Sequence, residues 1–331
     1  MKSRRKFLKD AAAGAVLLSS QQKLGWATML MDEPAGANSR VVVARDSGVR
    51  MHGSQPDEQG VLALLDKAMA AYTGREKSIE AWQRIVPRGQ VIGLKVNGLG
   101  GRGISTHAVL VHAICERLQQ AGIPAGDILV WDRNARDLGA CGMRINSDRS
   151  RVRCYGSDTS GFEDQPVQCG AAQLRLSKIL TRDCGMIISV PILKDHGMSG
   201  LTFSMKNMYG VIDKPFLLHD NSCNPGVADL NALPAVRQKV RFTIGDALTS
   251  VYEGGPVFSP EHFWQANTLI VGEDRVAVDH TALQLLDRKR VEEGLPTLKK
   301  DGREPVYIAT AADAAHRLGT NDPRRIRRIE V

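Results

Sequence analysis

Residues 90–132, QVIGLKVNGLGGRGISTHAVLVHAICERLQQAGIPAGDILVWD, hold the pattern that decides the fold. Residues 90–96 and 127–132 are short, apolar, β-branched runs that are typical of buried strands. Between them, residues 106–121 place apolar side chains at helical spacing, and Gly122 ends the helix. A strand, a helix and a second strand in succession predict two parallel strands joined by a right-handed crossover.

The same alternation continues along the chain and predicts an α/β fold, with a mostly parallel sheet, helices on both faces and an irregular inserted excursion. The excursion is expected at residues 133–173, where the periodicity is lost and Gly, Ser, Asp and Arg are frequent. We see no internal repeat and no low-complexity linker, so residues 28–331 are predicted to form a single domain. The other expected strands are 40–46, 186–190, 240–246, 268–271 and an edge strand within 320–331; the other expected helices are 59–72, 202–209, 225–236 and 276–286.

The N-terminus carries a candidate export signal. Residues 3–9, SRRKFLK, resemble the twin-arginine signal, with Arg4 and Arg5 as the pair. The apolar stretch that follows is too short for a permanent membrane anchor, and the small residues around Ala27 suit cleavage. We therefore predict a signal peptide at residues 1–27, the twin-arginine translocation machinery as a partner, and a periplasmic or otherwise exported mature chain. Because that machinery carries folded proteins, export this way is compatible with a metal or cofactor inserted beforehand.

The charge of the chain argues against nucleic acid as a partner. The formal net charge is +8, but the first 27 residues hold six basic residues and one acidic residue, which leaves the mature chain near +3. Nucleic-acid binding requires a clustered basic face, and this balance does not predict one. The mature sequence also lacks an apolar stretch long enough to cross a membrane.

The six cysteines do not form a cofactor motif. Their spacing contains no Cys-x-x-Cys pair, which disfavours an iron–sulfur cluster and a zinc ribbon. In an oxidising compartment one disulfide is expected among Cys141, Cys154 and Cys169, which lie in the irregular region. Cys115 falls within a helical apolar pattern and is expected in the core.

Polar and ionisable residues follow the predicted strands where each strand ends. Ligands of open parallel sheets bind beyond the carboxyl ends of the strands, so this positional coincidence predicts a site there. The residues are Lys95, Asn97 and His107 after the second strand, Asp132 after the third, Lys194, Asp195 and His196 after the fourth, Asp246 after the fifth, and Glu273, Asp274 and Asp279 at or behind the last.

Three lysines suit an anionic ligand. A lysine at a buried strand end is unfavourable unless it is paired, so Lys95, Lys194 and Lys206 either reach solvent or hold a carboxylate or phosphate. In the second case Asn97 and Asn207 would orient the ligand.

Two histidines and two aspartates suit proton transfer or metal binding. His107 and His196, assisted by Asp246 or Asp279, are the candidate catalytic residues. The same two histidines are also the candidate metal ligands, although no His-x-x-x-His pattern is present.

The glycine-rich stretch at residues 98–103 has two interpretations. It matches Gly-x-Gly-x-x-Gly after a strand and before a helix, which is the dinucleotide-binding pattern. However, Lys95 and Asn97 replace apolar residues, and the next strand ends in an acid about thirty residues on rather than about twenty. A flexible loop over an anion site, which uses backbone N–H groups and the helix N-terminus, is the alternative.

Several of these segments together resemble the domain-of-unknown-function 362 (DUF362) family over residues 90–285. The segments are KVN at 95–97, TH at 106–107, VPILKDH at 190–196, GLTFSMKNMYG at 200–210 and DRVAVD at 274–279. The resemblance implies a common fold and marks Lys206 and Asn207 as site residues. Some family members carry ferredoxin-type cysteine motifs, which this chain lacks.

These observations predict an exported protein that binds a small anionic ligand, a metal, or both at the carboxyl ends of the strands, and that acts on the ligand as an enzyme in one version of the hypothesis. The alternative is a periplasmic redox or metal-cofactor carrier without turnover.

Overall fold

The structure is a computed structural model that describes residues 38–50, 53–101, 103–256 and 260–331. The predicted signal peptide, residues 1–27, lies outside the described residues. Ser39–Val331 forms one compact unit.

Within the described residues, eleven strands belong to one sheet and two form a separate hairpin. The main path through the large sheet runs β13-β1-β12-β10-β7-β2-β3-β4, with β8, β9 and β11 joined at the β10 side. The strands are β1 (Ser39–Arg45), β2 (Ile92–Val96), β3 (Ile128–Trp131), β4 (Arg153–Cys154), β5 (Val167–Cys169), β6 (Ala172–Leu174), β7 (Met186–Val190), β8 (Ile192–His196), β9 (Gly200–Thr202), β10 (Val240–Val251), β11 (Phe263–Trp264), β12 (Thr268–Gly272) and β13 (Ile326–Glu330).

Helices cover both faces of this sheet. They are α1 (Glu58–Thr73), α2 (Ser78–Ile85), α3 (Ala108–Gln120), α4 (Ala135–Ala140), α5 (Ser157–Ser160), α6 (Gly226–Ala232), α7 (Pro234–Lys239), α8 (Arg275–Glu292) and α9 (Tyr307–Ala312). Strand residues alternate between two cores, since successive side chains point to opposite faces. Val42 and Ile188 pack on the α1–α3 face, whereas Val41 and Ile187 pack on the α6 and α8 face. The predicted α/β fold, mostly parallel and covered on both faces, is confirmed.

One strand of the main path runs against the others. β12 is antiparallel to both β1 and β10, while β10-β7, β7-β2, β2-β3 and β3-β4 are all parallel. The carboxyl end of β12 therefore lies at the opposite end of the strands from the carboxyl ends of β2, β3 and β7. The expectation that Asp274 joins the other strand-end residues was wrong. Asp274 instead caps α8 by accepting hydrogen bonds from Val276 N and Ala277 N.

Two local expectations also differ from the structure. The helix predicted at 202–209 is the end of β9 followed by a 3₁₀ turn, Lys206–Val211, because the backbone of this segment packs tightly between the sheet and α6. Lys194, Asp195 and His196 follow the end of β7, as expected, but they belong to a further strand, β8, which pairs with the far half of the long strand β10.

All six cysteines are buried free thiols, so the disulfide expected among Cys141, Cys154 and Cys169 is not formed. Cys115 lies in the core as expected. Burial raises the pKa of Cys115, Cys154 and Cys169 to about 12, which keeps these sulfurs protonated.

Residues 133–173 form the expected excursion. It contains only the short helices α4 and α5, the two-residue strand β4 and strand β5, and it ends within β6. Within the described residues, no helix has the length and apolar character to cross a bilayer.

Candidate functional site

A buried ion pair joins the carboxyl ends of β2 and β3. Lys95 Nζ lies 2.6 Å from Asp132 Oδ1, and the two side chains are almost fully buried. Burial lowers the pKa of Lys95, and the negative charge of Asp132 opposes that shift. Because an unpaired buried ammonium is strongly unfavourable, each residue requires the other.

Asn207 fastens the same lysine to the 3₁₀ turn. Its Oδ1 accepts a hydrogen bond from Lys95 Nζ at 3.1 Å. Its Nδ2 donates to Lys95 O at 2.8 Å and to Ser189 Oγ, on β7, at 3.1 Å. The amide therefore fixes β2, β7 and the turn that carries Lys206 in one arrangement.

All the hydrogen-bond donors of the Lys95 ammonium are satisfied by groups of the protein itself. Besides Asp132 and Asn207, the ammonium donates to Val96 O at 2.6 Å, and its exposed fraction is 1%. Asp132 also accepts from the backbone N–H of Gly98 at 2.7 Å. The anion that the glycine-rich loop and Lys95 together accommodate is thus the chain's own carboxylate.

Lys194 holds the glycine-rich loop from β8. Its Nζ donates to Ile104 O at 3.0 Å, to Leu99 O at 3.1 Å and to Asn97 Oδ1 at 3.4 Å. Burial, partly offset by the charge of Asp132, lowers the pKa of Lys194 to about 8. The loop presents carbonyl groups to a cation here, which is the reverse of a phosphate-binding loop that presents N–H groups.

Asn97 and Thr106 close the base of that loop. Asn97 N donates to Thr106 Oγ1, and Thr106 N donates to Asn97 O, both at 2.9 Å. The Thr106 hydroxyl donates to Val190 O at 2.7 Å, at the end of β7. The start of α3 is thereby fixed against the sheet edge.

His107 and Asp246 form a dyad at the N-terminus of α3. His107 Nδ1 and the His107 backbone N–H both lie 2.8 Å from Asp246 Oδ2, and Asp246 is fully buried. The carboxylate keeps a proton on Nδ1 and leaves the Nε2 lone pair available. A histidine held in this way is suited to accept a proton or to bind a metal ion.

Asp279 lies in the core rather than at the carboxyl ends of the strands. Its carboxylate accepts hydrogen bonds from Ser204 N at 2.7 Å and Met205 N at 3.1 Å, which cap the start of the 3₁₀ turn. Burial raises its pKa to about 7, against the effect of these hydrogen bonds. In the structure this candidate catalytic residue positions the segment that carries Lys206.

Lys206 differs from the other two lysines. Its ammonium lies 4.4 Å from the centroid of the Tyr209 ring and beside the Cys223 thiol, and the side chain is buried. Burial lowers its pKa. Among the described residues, no carboxylate forms an ion pair with it.

Two half-buried histidines stand next to Lys206. The rings of His196 and His219 have centroids 6.4 Å apart. His196 Nδ1 accepts from Met198 N at 3.2 Å and Ser199 N at 3.3 Å, so the neutral ring carries its proton on Nε2. His219 Nδ1 lies 2.9 Å from Pro215 O, which can only accept, so that ring carries its proton on Nδ1.

The three side chains of Lys206, His196 and His219 form what we call the basic cluster. Burial and then the charge of Lys206 lower the pKa of His196 to about 3, and the same two causes lower the pKa of His219. Neither ring forms an ion pair within the described part of the chain. The cluster therefore combines one buried cation with two rings held neutral.

A strained turn supports the cluster. Asn221, Ser222 and Cys223 have φ values of 49°, 55° and 66°, which is the left-handed region that non-glycine residues seldom adopt. The turn brings Cys223 against Lys206. Strain of this kind persists only where the surrounding packing enforces it, and it concentrates at functional sites.

The predicted site residues thus separate into four groups, with Asp279 apart from them in the core. Lys95, Asn207 and Asp132 fasten the sheet edge, Lys194 and Asn97 fasten the loop, and His107 with Asp246 forms the dyad on the α3 face. Lys206 and His196 lie together with Tyr209, His219 and Cys223, which were not among the candidate site residues. Tyr209 carried a signal because it lies in the GLTFSMKNMYG segment, and His219 carried one as a histidine that could supply a metal ligand.

No metal-type cluster is evident in the described ranges, where no group of three His, Cys, Asp or Glu side chains is arranged to hold an ion. A cavity of about 340 Å³ lies elsewhere, between α3 and the β3–β4 edge, and its lining residues include Val111, Cys115, Met143 and Cys154. None of the candidate residues lines it.

The fold defines an α/β protein with buried charged side chains at the carboxyl ends of parallel strands. The family model for DUF362, a domain of unknown function, matches residues 92–284, and the chain belongs to this family. No curated protein gave a significant match.

Among solved structures, the chain is similar to a protein from Thermotoga maritima determined by a structural genomics consortium. The two are 12% identical with a TM-score of 0.46, over 71% of this chain and 60% of that protein. The match therefore spans less than two thirds of the length of that structure.

Gly210 provides a test of the ion pair. A Cβ at this position would lie 2.3 Å from Asp132 Oδ1 and 2.6 Å from Lys95 Nζ. We expect Gly210→Ala to lower the free energy of unfolding by about 1–3 kcal/mol, because the pair must move apart. Gly139→Ala is the control, since nothing lies within 4 Å of its Cβ; it should keep or slightly raise stability. Equal urea midpoints for the two variants would contradict the assigned contact.

Proposed function

We propose that this protein binds a small anionic ligand at the basic cluster of Lys206, His196 and His219. The observation that carries the proposal is the buried Lys206 ammonium, which has no carboxylate partner among the described residues, whereas Lys95 has one. Burying a cation without a counter-charge is unfavourable. A ligand anion would remove that cost and would make direct hydrogen bonds to Lys206 Nζ and His196 Nε2–H.

In this proposal Lys95, Asn97, Lys194 and Asn207 serve the ligand through the backbone they position. Each already hydrogen-bonds within the protein, and together they fix the loop and the 3₁₀ turn on either side of β2. If the protein is an enzyme, His107 is the candidate proton acceptor, with Asp246 orienting its ring. Asp279 then acts on the geometry of the Lys206 turn.

Lys206→Met tests the anion site. Met preserves much of the apolar stem and removes an uncompensated buried charge. The free energy of unfolding should therefore rise by about 0.5–2 kcal/mol, seen as a higher urea midpoint. The same variant should lose measurable binding of sulfate by calorimetry. Lys77→Met is the control, because the Lys77 side chain is 81% exposed. Unchanged sulfate binding in Lys206→Met would refute the proposal, as would a wild-type protein that binds neither sulfate nor a small sulfonate.

The pH dependence of sulfate binding has a definite sign. Both histidines of the cluster have lowered pKa values, so the rings are neutral at pH 7. A bound anion favours the protonated ring and raises both pKa values, so binding takes up protons. The affinity for sulfate should therefore increase as the pH falls below 7, and His219→Gln should weaken this increase.

A metal-binding role is the second candidate, and one observation favours it. The hydrogen bond from His107 Nδ1 to a buried carboxylate is the arrangement that commonly orients a metal-binding histidine. In contrast, the neutral tautomer of His196 leaves no ring lone pair for a metal. We expect any stoichiometric metal found by elemental analysis of the purified protein to be lost in His107→Ala and retained in His196→Gln; the reverse pattern would contradict this assignment.

We further propose that residues 1–27 direct export through the twin-arginine machinery to the periplasm, from the order and position of Arg4 and Arg5. Replacing both by lysine keeps the charge and should retain the protein in the cytoplasm on fractionation. The matched control replaces Arg324 and Arg325, the adjacent pair near the C-terminus, by lysine and should leave the distribution unchanged. Continued periplasmic accumulation of the Arg4/Arg5 variant would disprove the export route.

A further inference from the structure

Exposed large apolar side chains lie on segments that contact the basic cluster or Lys194. The described residues include eight large apolar side chains that are exposed, and four of them lie on segments that contact the cluster or Lys194. We call these four the apolar rim: Leu99 (60% exposed), Met198 (49%), Phe216 (65%) and Leu217 (40%).

Backbone contacts tie the rim to the cluster. Leu99 O accepts the hydrogen bond from Lys194 Nζ, and Met198 N donates to the His196 ring. Phe216 O accepts from His219 N at 3.2 Å, and Leu217 is its neighbour in the same 3₁₀ turn. Two segments, the β8–β9 turn and the turn before His219, therefore carry exposed apolar residues next to the two histidines of the cluster, and the glycine-rich loop carries Leu99 next to Lys194.

A surface with a buried cationic centre and an exposed apolar border has a specific chemical complement. Isolated exposed apolar residues require no explanation, but a group of them around a polar centre marks a binding site. An inorganic ion would satisfy Lys206 and leave the rim in water. An anion with an apolar body would satisfy Lys206 and remove apolar area from water at the same time.

We propose that the ligand of this site is a small organic anion with an apolar body, whose oxyanion group binds Lys206 and His196 and whose body covers Phe216, Met198 and their neighbours. This inference rests on the proposed anion site and adds the chemical class of the ligand. A ligand with a single anionic group matches the cluster, because Lys206 is its one buried cation.

The test compares two probes with the same head group, methanesulfonate and benzenesulfonate, by calorimetry on the purified protein. Benzenesulfonate should bind at least about tenfold more tightly, because its ring is removed from water at the rim. Phe216→Ser combined with Leu217→Ser should abolish this difference. Val291→Ser, which removes a side chain that is 57% exposed on α8, is the matched control and should change neither affinity.

The outcomes separate the two proposals. If neither sulfonate nor sulfate binds, the anion site itself is refuted and the inference falls with it. If both sulfonates bind equally tightly, the anion site stands and the apolar body is refuted. Tighter binding of benzenesulfonate that survives in Lys206→Met, or in the Phe216/Leu217 double variant, would place its binding elsewhere and overturn the inference.

Discussion

The buried pair between Lys95 and Asp132 is the interaction on which the rest of the sheet edge depends. It lies where two adjacent parallel strands end, and each partner holds a further segment. Asp132 anchors the start of the glycine-rich loop through Gly98 N, and Lys95 anchors the 3₁₀ turn through Asn207. Because a buried charge cannot be left unpaired without a large loss of stability, the loop and the turn are fixed by the same constraint.

The three lysines at this edge show how differently a buried cation is stabilised. Lys95 has a carboxylate, Lys194 has backbone carbonyls and an amide oxygen, and Lys206 has the face of an aromatic ring. The stabilisation of the ammonium by protein groups decreases from Lys95 to Lys194 to Lys206, and the proposed ligand binds at Lys206. Burial lowers the pKa of His196, and the positive charge of Lys206 lowers it further, so the ring stays neutral.

Several features near Lys206 lower the stability of the protein, and they are tolerated because the rest of the domain is well packed. They include the buried ammonium, two histidines with lowered pKa values, and three successive left-handed residues that end at Cys223. Two apolar cores on either side of the sheet supply the stability against which such features persist.

Local pattern in the sequence determined the architecture. Residues 90–132 encode a strand, a helix and a strand, and the structure has β2, α3 and β3 there, because apolar periodicity depends only on near neighbours along the chain. The strands that end in polar residues were also recognisable, as was Cys115 as a core residue. The resemblance of the GLTFSMKNMYG segment to the DUF362 family is what pointed to Lys206 and Asn207, although the backbone there is a strand end and a 3₁₀ turn rather than a helix.

Only the tertiary structure decided strand direction and charge pairing. No local pattern distinguishes β12, which is antiparallel, from its parallel neighbours, and so the sequence placed Asp274 at the wrong edge. Likewise, sequence spacing cannot state that Asp132 neutralises Lys95 while Lys206 lacks a carboxylate, or that Gly210 is small because it lies against that pair. These contacts join residues that are distant in the chain, and long-range packing alone brings them within a few ångströms.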